Sequence, residues 1–250
     1  MNSTQSNKIF YNQKYSEEVA YKYKTNTRYQ RYLIQRLERY IRNDIPIESL
    51  CDIGCGQGLN TALFTEDFPN VKILGIDLSE SGIEIAKAKY RRITNLEFEC
   101  IDVNELKSVG KRFSIVTAFE LLEHIDDWKH VARLMAELSS SYIMISSPVG
   151  RMREYEKSHG HVRNFKKGEL ESFFEELGFS KVKTYYAGFP FWSPITRDLL
   201  NFLPGDSTEL QKNLTWIGRF SSVMLYYLYR YCSALHHGDQ FIGLFIKNEV

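Results

Sequence analysis

The stretch LCDIGCGQGLN, residues 50–60, places three glycines at alternate positions between a strand-like apolar run and a helix-like segment. Glycine accepts positive φ angles and lets a backbone approach a ligand closely, because it has no Cβ. A dinucleotide-binding turn has its third small residue one position after Gly58, where this chain has Leu59. A P-loop requires Gly-Lys-Ser/Thr, which does not follow. The stretch therefore predicts a tight strand-to-helix turn, and it leaves open whether the turn binds a nucleotide-like ligand or is only structural.

Short apolar runs and helical patterns alternate on either side of this turn. A helical pattern over 16–42 comes first. Strands are predicted at 49–53, 71–76, 96–101, 113–119 and 142–147, and helical segments at 58–67, 79–91, 103–108 and 128–139. Strands that alternate with helices at this spacing form βαβ units with right-handed crossovers. The sequence thus predicts an α/β fold with a parallel sheet.

The rhythm changes after the fifth strand. The stretch SPVGRMREYEKSHGHVRNF, residues 147–165, is typical of a loop, and a helix at 167–177 and strands at 179–188 and 240–248 follow. An excursion at 188–238 separates these last two strands. It contains an apolar stripe at helical spacing, which we interpret as packed against the core: Trp216, Phe220, Val223, Met224, Tyr227, Leu228, Tyr231 and Leu235. Tyr226, Tyr229 and Arg230 lie on the other side of that helix, where a second subunit or a membrane surface is an alternative partner.

Composition narrows the class of protein. The chain has 250 residues, of which 43% are hydrophobic, enough for a sizeable core. Its 32 basic and 31 acidic residues nearly cancel, so a nucleic-acid partner is not implied. Four scattered cysteines suit a reducing, cytoplasmic location rather than a disulfide scaffold. No uncharged apolar run reaches the roughly 18 residues of a membrane span, and the first residues lack the apolar core of a signal peptide.

Carboxylates at the ends of the next two strands give the glycine turn a chemical context. Asp77 ends the second strand, nineteen residues after Gly58, and Asp102 ends the third. A carboxylate at the first of these positions can accept hydrogen bonds from both ribose hydroxyls. A pyrophosphate would require a cluster of Lys and Arg beside the turn, and this chain has none there. The pattern favours an adenosyl ligand that carries no pyrophosphate.

These motifs resemble those of the class I S-adenosylmethionine-dependent methyltransferases. LCDIGCGQG resembles the first motif of that family, GIDLS the second, CIDV the third, and FSIVTAFELLEHIDD the fourth strand and the segment after it. The last motif looks most like the branch that includes the ubiquinone-biosynthesis O-methyltransferases. The resemblance covers about residues 30–187 and the final strand. It implies a Rossmann-like seven-stranded methyltransferase fold, mostly parallel, with an antiparallel last strand inserted beside the fifth.

The resemblance also implies a cofactor, S-adenosylmethionine, and the residues that bind it. Glycines and Asp52 of the first motif would line the methionine part, Asp77 would bind the ribose, and Asp102 with Val103 would meet the adenine. Phe119 and Glu120 would close the site near the sulfonium. The full implied set is Asp52, Gly54, Cys55, Gly56, Gly58, Asp77, Leu78, Asp102, Val103, Phe119 and Glu120.

A single methyltransferase domain over 1–250 is expected, with four parts. These are an N-terminal helical lid at 1–45, a cofactor-binding α/β core at 46–187, a helical insertion at 188–238 for substrate or interface, and the last strand at 239–250. The resemblance suggests that Tyr11, Tyr15, Tyr23 and Arg28 of the lid fold over the cofactor. An arginine there would pair with the methionine carboxylate.

Methyl transfer from a sulfonium is a direct displacement, so alignment in a dry site is the main requirement. A base is needed only for a hydroxyl or ammonium acceptor, and histidine suits that task near neutral pH. We predict His124, His159 and His161 as candidate catalytic bases. The alternative for His124 is helix capping or packing, and for the other two a solvated loop. We predict no metal, since Asp126 and Asp127 more simply start the helix at Trp128.

The sequence therefore predicts a transferase that methylates a small-molecule acceptor in small-molecule biosynthesis, with oxygen as the favoured atom. The alternatives are a cofactor-binding regulatory or scaffolding protein without turnover, and an N-methyltransferase of a small molecule or peptide. An NAD-dependent oxidoreductase is disfavoured by Leu59. A homodimer through the C-terminal aromatic helix is the expected protein contact.

Overall fold

A computed structural model describes residues 25–102, 112–200 and 216–248, together with Ile9, Asn12 and Glu105. Its centre is one seven-stranded sheet in the order β3-β2-β1-β4-β5-β7-β6. The strands are β1 (Ser49–Ile53), β2 (Lys72–Asp77), β3 (Leu96–Cys100), β4 (Phe113–Phe119), β5 (Ser139–Pro148), β6 (Phe179–Ala187) and β7 (Gln240–Lys247).

Strands β1 to β5 pair in parallel, whereas β7 is antiparallel to both of its neighbours, β5 and β6. All seven residues of β4 are buried, as expected for a central strand of a sheet covered on both faces. The chain order reverses between β1 and β4, where open α/β sheets bind ligands. The predicted Rossmann-like fold, with its antiparallel last strand beside the fifth, is confirmed.

Helices cover both faces of this sheet. They are α1 (Thr25–Glu38), α2 (Leu59–Asp67), α3 (Glu80–Tyr90), α4 (Trp128–Leu138), α5 (Glu154–Ser158), α6 (Glu169–Glu176), α7 (Arg197–Leu200) and α8 (Trp216–Cys232). Alternate residues of β1 enter different cores: Leu50 packs in the cluster with α1, α2 and α3, and Cys51 in the cluster with α4 and α6. This two-sided burial holds the strand ends in a fixed row.

Most predicted element bounds agree with the structure, and the differences have local causes. The fifth strand begins at Ser139 rather than at 142, because α4 ends directly into it. The predicted loop at 147–165 contains the short helix α5, whose first-turn Glu156 accepts a hydrogen bond from the backbone N–H of Arg153 at 2.7 Å. The predicted helical segment 103–108, apart from Glu105, and residues 16–24 lie outside the described residues.

The predicted cap of α4 is present. The Asp127 side chain accepts a hydrogen bond from the backbone N–H of His130 at 3.1 Å. Among the described residues, no helix is both long and apolar enough to cross a membrane.

The interpretation of the α8 stripe as core-facing is wrong for four of its residues. Phe220, Met224, Tyr227 and Tyr231 are exposed, at 63%, 53%, 44% and 69%. The opposite side of the helix is buried instead. Tyr229 contacts Tyr29 edge-on at a ring distance of 5.7 Å and hydrogen-bonds with Thr196 Oγ1 at 2.6 Å. Aromatic residues occupy both sides of α8, so hydrophobic spacing alone did not identify the inward side.

Candidate active site

The glycine turn lies directly after β1, at the edge where the strand order reverses. Gly54, Gly56 and Gly58 have φ angles of 73°, 55° and 75°, a left-handed conformation that favours glycine. A Cβ added at Gly58 would lie 2.5 Å from Cζ of Phe98. The backbone N–H of Gly54 donates to the carbonyl of Ile76 at 2.8 Å, which holds the turn against β2.

Asp77 links this turn to the helix that follows β2. Its Oδ2 accepts a hydrogen bond from the backbone N–H of Gly56, and its Oδ1 accepts one from that of Ser79, both at 2.8 Å. Ser79 in turn caps α3 and donates to Asn12 Oδ1 at 2.9 Å. Burial raises the pKa of Asp77, opposed by these backbone N–H groups. The carboxylate is therefore fixed in position beside the glycine turn.

Asp52 occupies a different environment, inside the core beneath the turn. It is only 3% exposed, and it accepts hydrogen bonds from Thr61 Oγ1 at 2.6 Å and Thr117 Oγ1 at 2.7 Å. Burial raises its pKa to about 6. Asp52 thus ties α2 to β1 and β4, and its predicted contact with a cofactor stays a prediction.

The other residues implied for cofactor binding lie at the same edge. Phe119 is buried, with its ring stacked on Phe64 at 6.1 Å. The Leu78 carbonyl accepts a hydrogen bond from Cys100 Sγ at 3.5 Å, and the Asp102 carbonyl accepts one from the N–H of Glu105 at 2.8 Å. Cys55 is part of the glycine turn, and burial raises its pKa well above the usual range. Val103 lies outside the described residues.

A polar network that sequence reasoning missed is centred on Glu120, the residue after β4. Glu120 Oε1 accepts hydrogen bonds from Ser146 Oγ at 2.7 Å and from Gln240 Nε2 at 2.8 Å. Ser146 Oγ also accepts one from Gln30 Nε2 at 2.9 Å. These residues come from α1, β5 and β7. The sequence signal for the network was weak: polar residues at the ends of two apolar strands.

The three candidate histidines divide into two groups. The His124 and His161 rings meet edge-on with centroids 4.5 Å apart, and His124 Nδ1 lies 3.0 Å from the carbonyl of Gly160. His159 contacts Tyr155, with its Nδ1 2.6 Å from that residue's carbonyl oxygen. The structure thus brings His124 and His161 together, whereas His159 is held at the end of α5.

Glu123 joins the histidine pair to form a possible metal-binding group. One side-chain ligand atom from each of Glu123, His124 and His161 lies within 4.8 Å of the other two. Glu123 is buried and accepts a hydrogen bond from Ser147 Oγ at 2.8 Å. Its pKa is raised well above the usual range, mainly by burial and next by the negative charge of the nearby Glu120. Carboxylate and imidazole are ligands for zinc and other transition metals. The prediction of no metal stays a prediction, and this cluster is where it can be tested.

A buried ion cluster lies beyond this site, on the side of β7. Arg197 of α7 pairs with Glu156 of α5, and both side chains are only 2% exposed. Arg153 Nε donates to Asp198 Oδ1 at 2.6 Å. Burial acts to raise the pKa of Glu156, but Arg197 outweighs it and the pKa is lowered. The cluster fastens the insertion to the segment after β5.

Arg28 of α1, in the segment predicted to form a lid, contacts α8. Its guanidinium carbon lies 4.3 Å from the ring centroid of Tyr226 on α8. Tyr11, Tyr15 and Tyr23 lie outside the described residues. The predicted contact of the lid with a cofactor therefore stays a prediction.

Comparisons with known proteins agree with this geometry. The model of a family described as "Methyltransferase domain" matches residues 25–184. The ubiquinone biosynthesis O-methyltransferase of Coxiella burnetii is 33% identical over 104 residues, which are 40% of this chain and 43% of that protein. The chain thus matches less than half the length of this curated relative.

Two solved structures share the fold. The magnesium protoporphyrin IX methyltransferase of Synechocystis PCC 6803, with bound S-adenosylmethionine, has a TM-score of 0.61 at 13% identity and is covered over 98% of its length and 99% of this chain. The phosphoethanolamine N-methyltransferase 2 of Haemonchus contortus, in complex with S-adenosylmethionine, has a TM-score of 0.55 at 15% identity, covering 86% of this chain and 52% of that one. At these identities the likeness shows the fold alone.

Proposed function

Because this chain belongs to the methyltransferase domain family, whose model matches residues 25–184, we propose that it transfers a methyl group from S-adenosylmethionine to a small-molecule acceptor. One observation carries the proposal. The glycine turn and the Asp77 carboxylate are hydrogen-bonded together at the point where the strand order reverses. That edge is where open α/β sheets bind nucleotide-like ligands.

The residues of this edge fit the proposed cofactor. Side chains are absent at Gly54, Gly56 and Gly58, so the backbone of the turn can approach a ligand closely. Asp77 uses one site on each oxygen for backbone N–H groups, and a carboxylate has about four acceptor sites, so ribose hydroxyls can still bind. An acidic edge suits a ligand that carries a sulfonium and an ammonium group.

When bound, S-adenosylmethionine supplies an electrophilic methyl group to a nucleophile held in line with it. The chain's own contribution is alignment and exclusion of water. Phe119, at the end of β4, is buried with its ring stacked on that of Phe64, which excludes water from this part of the edge. Arg197 and Glu156 hold the insertion beside the ends of β5 and β7, where an acceptor would enter.

Oxygen is the acceptor atom that we propose. The support is the curated relative named an O-methyltransferase, and the neighbouring fold of an N-methyltransferase makes nitrogen the alternative.

We further propose that the exposed side of α8, with Phe220 and Tyr231, is a surface for self-association. A dimer mass in light scattering that Tyr231→Glu converts to a monomer mass is the expected result.

Thermal unfolding with S-adenosylhomocysteine and with NAD tests the cofactor. A ligand at about 100 times its Kd stabilises the native state by about 2.7 kcal/mol, which corresponds to roughly 5–10 °C for a chain of this size. We expect that shift with S-adenosylhomocysteine and none with NAD. Asp77→Ala should abolish it, and Asp77→Asn should weaken it while keeping the fold. Glu97→Gln, on the exposed side of β3, is the control.

The outcome that would overturn the proposal is an unchanged melting temperature with S-adenosylhomocysteine. A regulatory binder without turnover would show the shift but would transfer no tritiated methyl group to any acceptor. The two results therefore separate an enzyme from a silent cofactor-binding protein.

A further inference from the structure

Glu120 lies at the boundary between the cofactor edge and the side of the sheet where an acceptor would bind. It follows β4 directly, and its backbone N–H donates to the Ser146 carbonyl at the end of β5 at 3.1 Å. On its other side is the glycine turn: a Cβ at Gly54 would lie 2.7 Å from Cδ1 of Leu121, the residue next to Glu120. The position is therefore beside the strand-order reversal.

The backbone of Glu120 is unusual. Its φ is 51°, and among the described residues it is the non-glycine residue with a positive φ. This conformation is unfavourable for a residue with a Cβ, and such residues persist where the surrounding structure fixes them, often at functional sites. In this conformation the Glu120 side chain accepts hydrogen bonds from Ser146 and Gln240.

The hydrogen bonds of Glu120 are asymmetric. Both donors, Ser146 Oγ and Gln240 Nε2, bind the same oxygen, Oε1. Within the described parts of the chain, Oε2 accepts no hydrogen bond. Gln30 fixes Ser146 in turn, so three elements orient the carboxylate and leave one oxygen for a ligand. Because an ionised carboxylate has about four acceptor sites on its two oxygens, Oε2 keeps the capacity to accept a hydrogen bond from a ligand.

We propose that Glu120 is the general base for a hydroxyl acceptor, a role that rests on the proposed methyl transfer. Oε2 accepts the hydrogen bond of the acceptor hydroxyl. As the new oxygen–carbon bond forms, the sulfur–carbon bond breaks, its electron pair stays on sulfur, and the hydroxyl proton moves to Oε2. The products are the methyl ether, S-adenosylhomocysteine and a protonated Glu120, which returns its proton to water. The acceptor class is accordingly a neutral hydroxyl compound.

The electrostatics of the site agree with this role. Burial raises the pKa of Glu120, while Ser146, Gln240 and Arg197 act against that rise and Glu156 adds to it. Glu123 is the other carboxylate close enough to interact with it. A base with a raised pKa accepts a proton more readily near neutral pH than an ordinary carboxylate does. Glu120 is therefore a candidate base in addition to His124 and His161, which lie on the turn and the loop that follow it.

Glu120→Gln tests the proposal with catechol, benzoate and ethanolamine as acceptors and tritiated S-adenosylmethionine as donor. The amide oxygen can still accept from Ser146 and Gln240, so the fold is preserved. We expect kcat with catechol to fall by about 10²–10⁴-fold, with unchanged stabilisation by S-adenosylhomocysteine. The wild-type rate should rise with pH through the raised pKa of Glu120, and this limb should be absent in the variant. Glu97→Gln is the matched control.

Benzoate separates base catalysis from a positioning role. At neutral pH benzoate has already lost its proton, so a base does not assist its methylation, and Glu120→Gln should not lower that rate. Because the variant also removes the negative charge beside this anionic acceptor, the benzoate rate should rise. A catechol rate within threefold of wild type in the variant would overturn the inference while leaving the proposed function intact. The inference would also be overturned if wild type methylated benzoate or ethanolamine but not catechol. Loss of S-adenosylhomocysteine stabilisation in the variant would assign Glu120 to the cofactor instead. Transfer to none of the acceptors by wild type would overturn this role, and an unchanged melting temperature of wild type with S-adenosylhomocysteine would overturn the proposed function with it.

Discussion

The two halves of the sheet edge are built in different ways. On the side of β1, β2 and β3, the turn and Asp77 come from residues 54–79 and are joined mainly by backbone N–H groups. On the side of β5, β7 and β6, Glu120 meets Ser146, Gln240 and Gln30, and Glu156 meets Arg197. The first half depends on local backbone conformation, and the second depends on side chains that are distant in the chain. Substitutions should therefore affect the two halves separately.

Arg197→Met should have the largest effect on stability, in the second half alone. It leaves Glu156 buried without its cation, which costs about 3–5 kcal/mol of unfolding free energy. Urea unfolding measures this loss, and Arg197→Met/Glu156→Gln should recover most of it because the uncompensated charge is gone. We expect the Kd of S-adenosylhomocysteine to change little. A Kd that rises as steeply as stability falls would show that the two halves are coupled.

Gly58→Ala should break the first half. The added Cβ would clash with Phe98 at 2.5 Å in a left-handed backbone, so we expect a loss of about 2–4 kcal/mol and no detectable S-adenosylhomocysteine binding. Gly168→Ala is the matched control. Gly168 has a similar φ of 86°, but nothing lies within 4 Å of the added Cβ. We therefore expect this variant to lose about 1–2 kcal/mol of unfolding free energy and to bind the ligand fully. Equal losses in both variants would contradict a close approach at the turn.

Asp52→Asn should have a smaller effect that depends on pH. The native pKa of about 6 lies above the ordinary 3.8, so the folded state holds the proton more tightly. The contribution of Asp52 to the unfolding free energy of wild type therefore falls as pH rises from about 4 through 6. The asparagine variant has no such pH-dependent contribution at this position. Between about pH 4.5 and 7.5 the difference in unfolding free energy should shift by about 2 kcal/mol in favour of the variant. Urea titrations at both pH values, with Glu97→Gln as control, measure it. A constant difference would mean that Asp52 is solvated.

The same contrast explains what the sequence could predict. The strand bounds, the glycine turn and Asp77 carry local signals: β-branched runs, glycines and a carboxylate at a strand end. The resemblance to class I methyltransferases is confirmed, as is the fold. Gln30, Ser146 and Gln240 have no such signal, because their meeting at Glu120 depends on the order of strands in the finished sheet. The inward side of α8 was mistaken for a similar reason: the Tyr229 ring packs against Tyr29 and Trp192, and its hydroxyl hydrogen-bonds with Thr196, contacts that hydropathy does not encode.

The insertion of β7 between β5 and β6 also bears on how the chain folds as it is made. Within the described sheet, β6 pairs with β7 alone, and residues 188–239 separate the two strands. At roughly 5–20 residues per second, the ribosome needs about 3–10 s to synthesise that segment. During this interval β5 and β6 both have open hydrogen-bonding edges, while the β1–β4 half can already be paired. A nascent chain at this stage would be a substrate for chaperones that cover unpaired strands, and slow synthesis across the insertion would lengthen its exposure to aggregation.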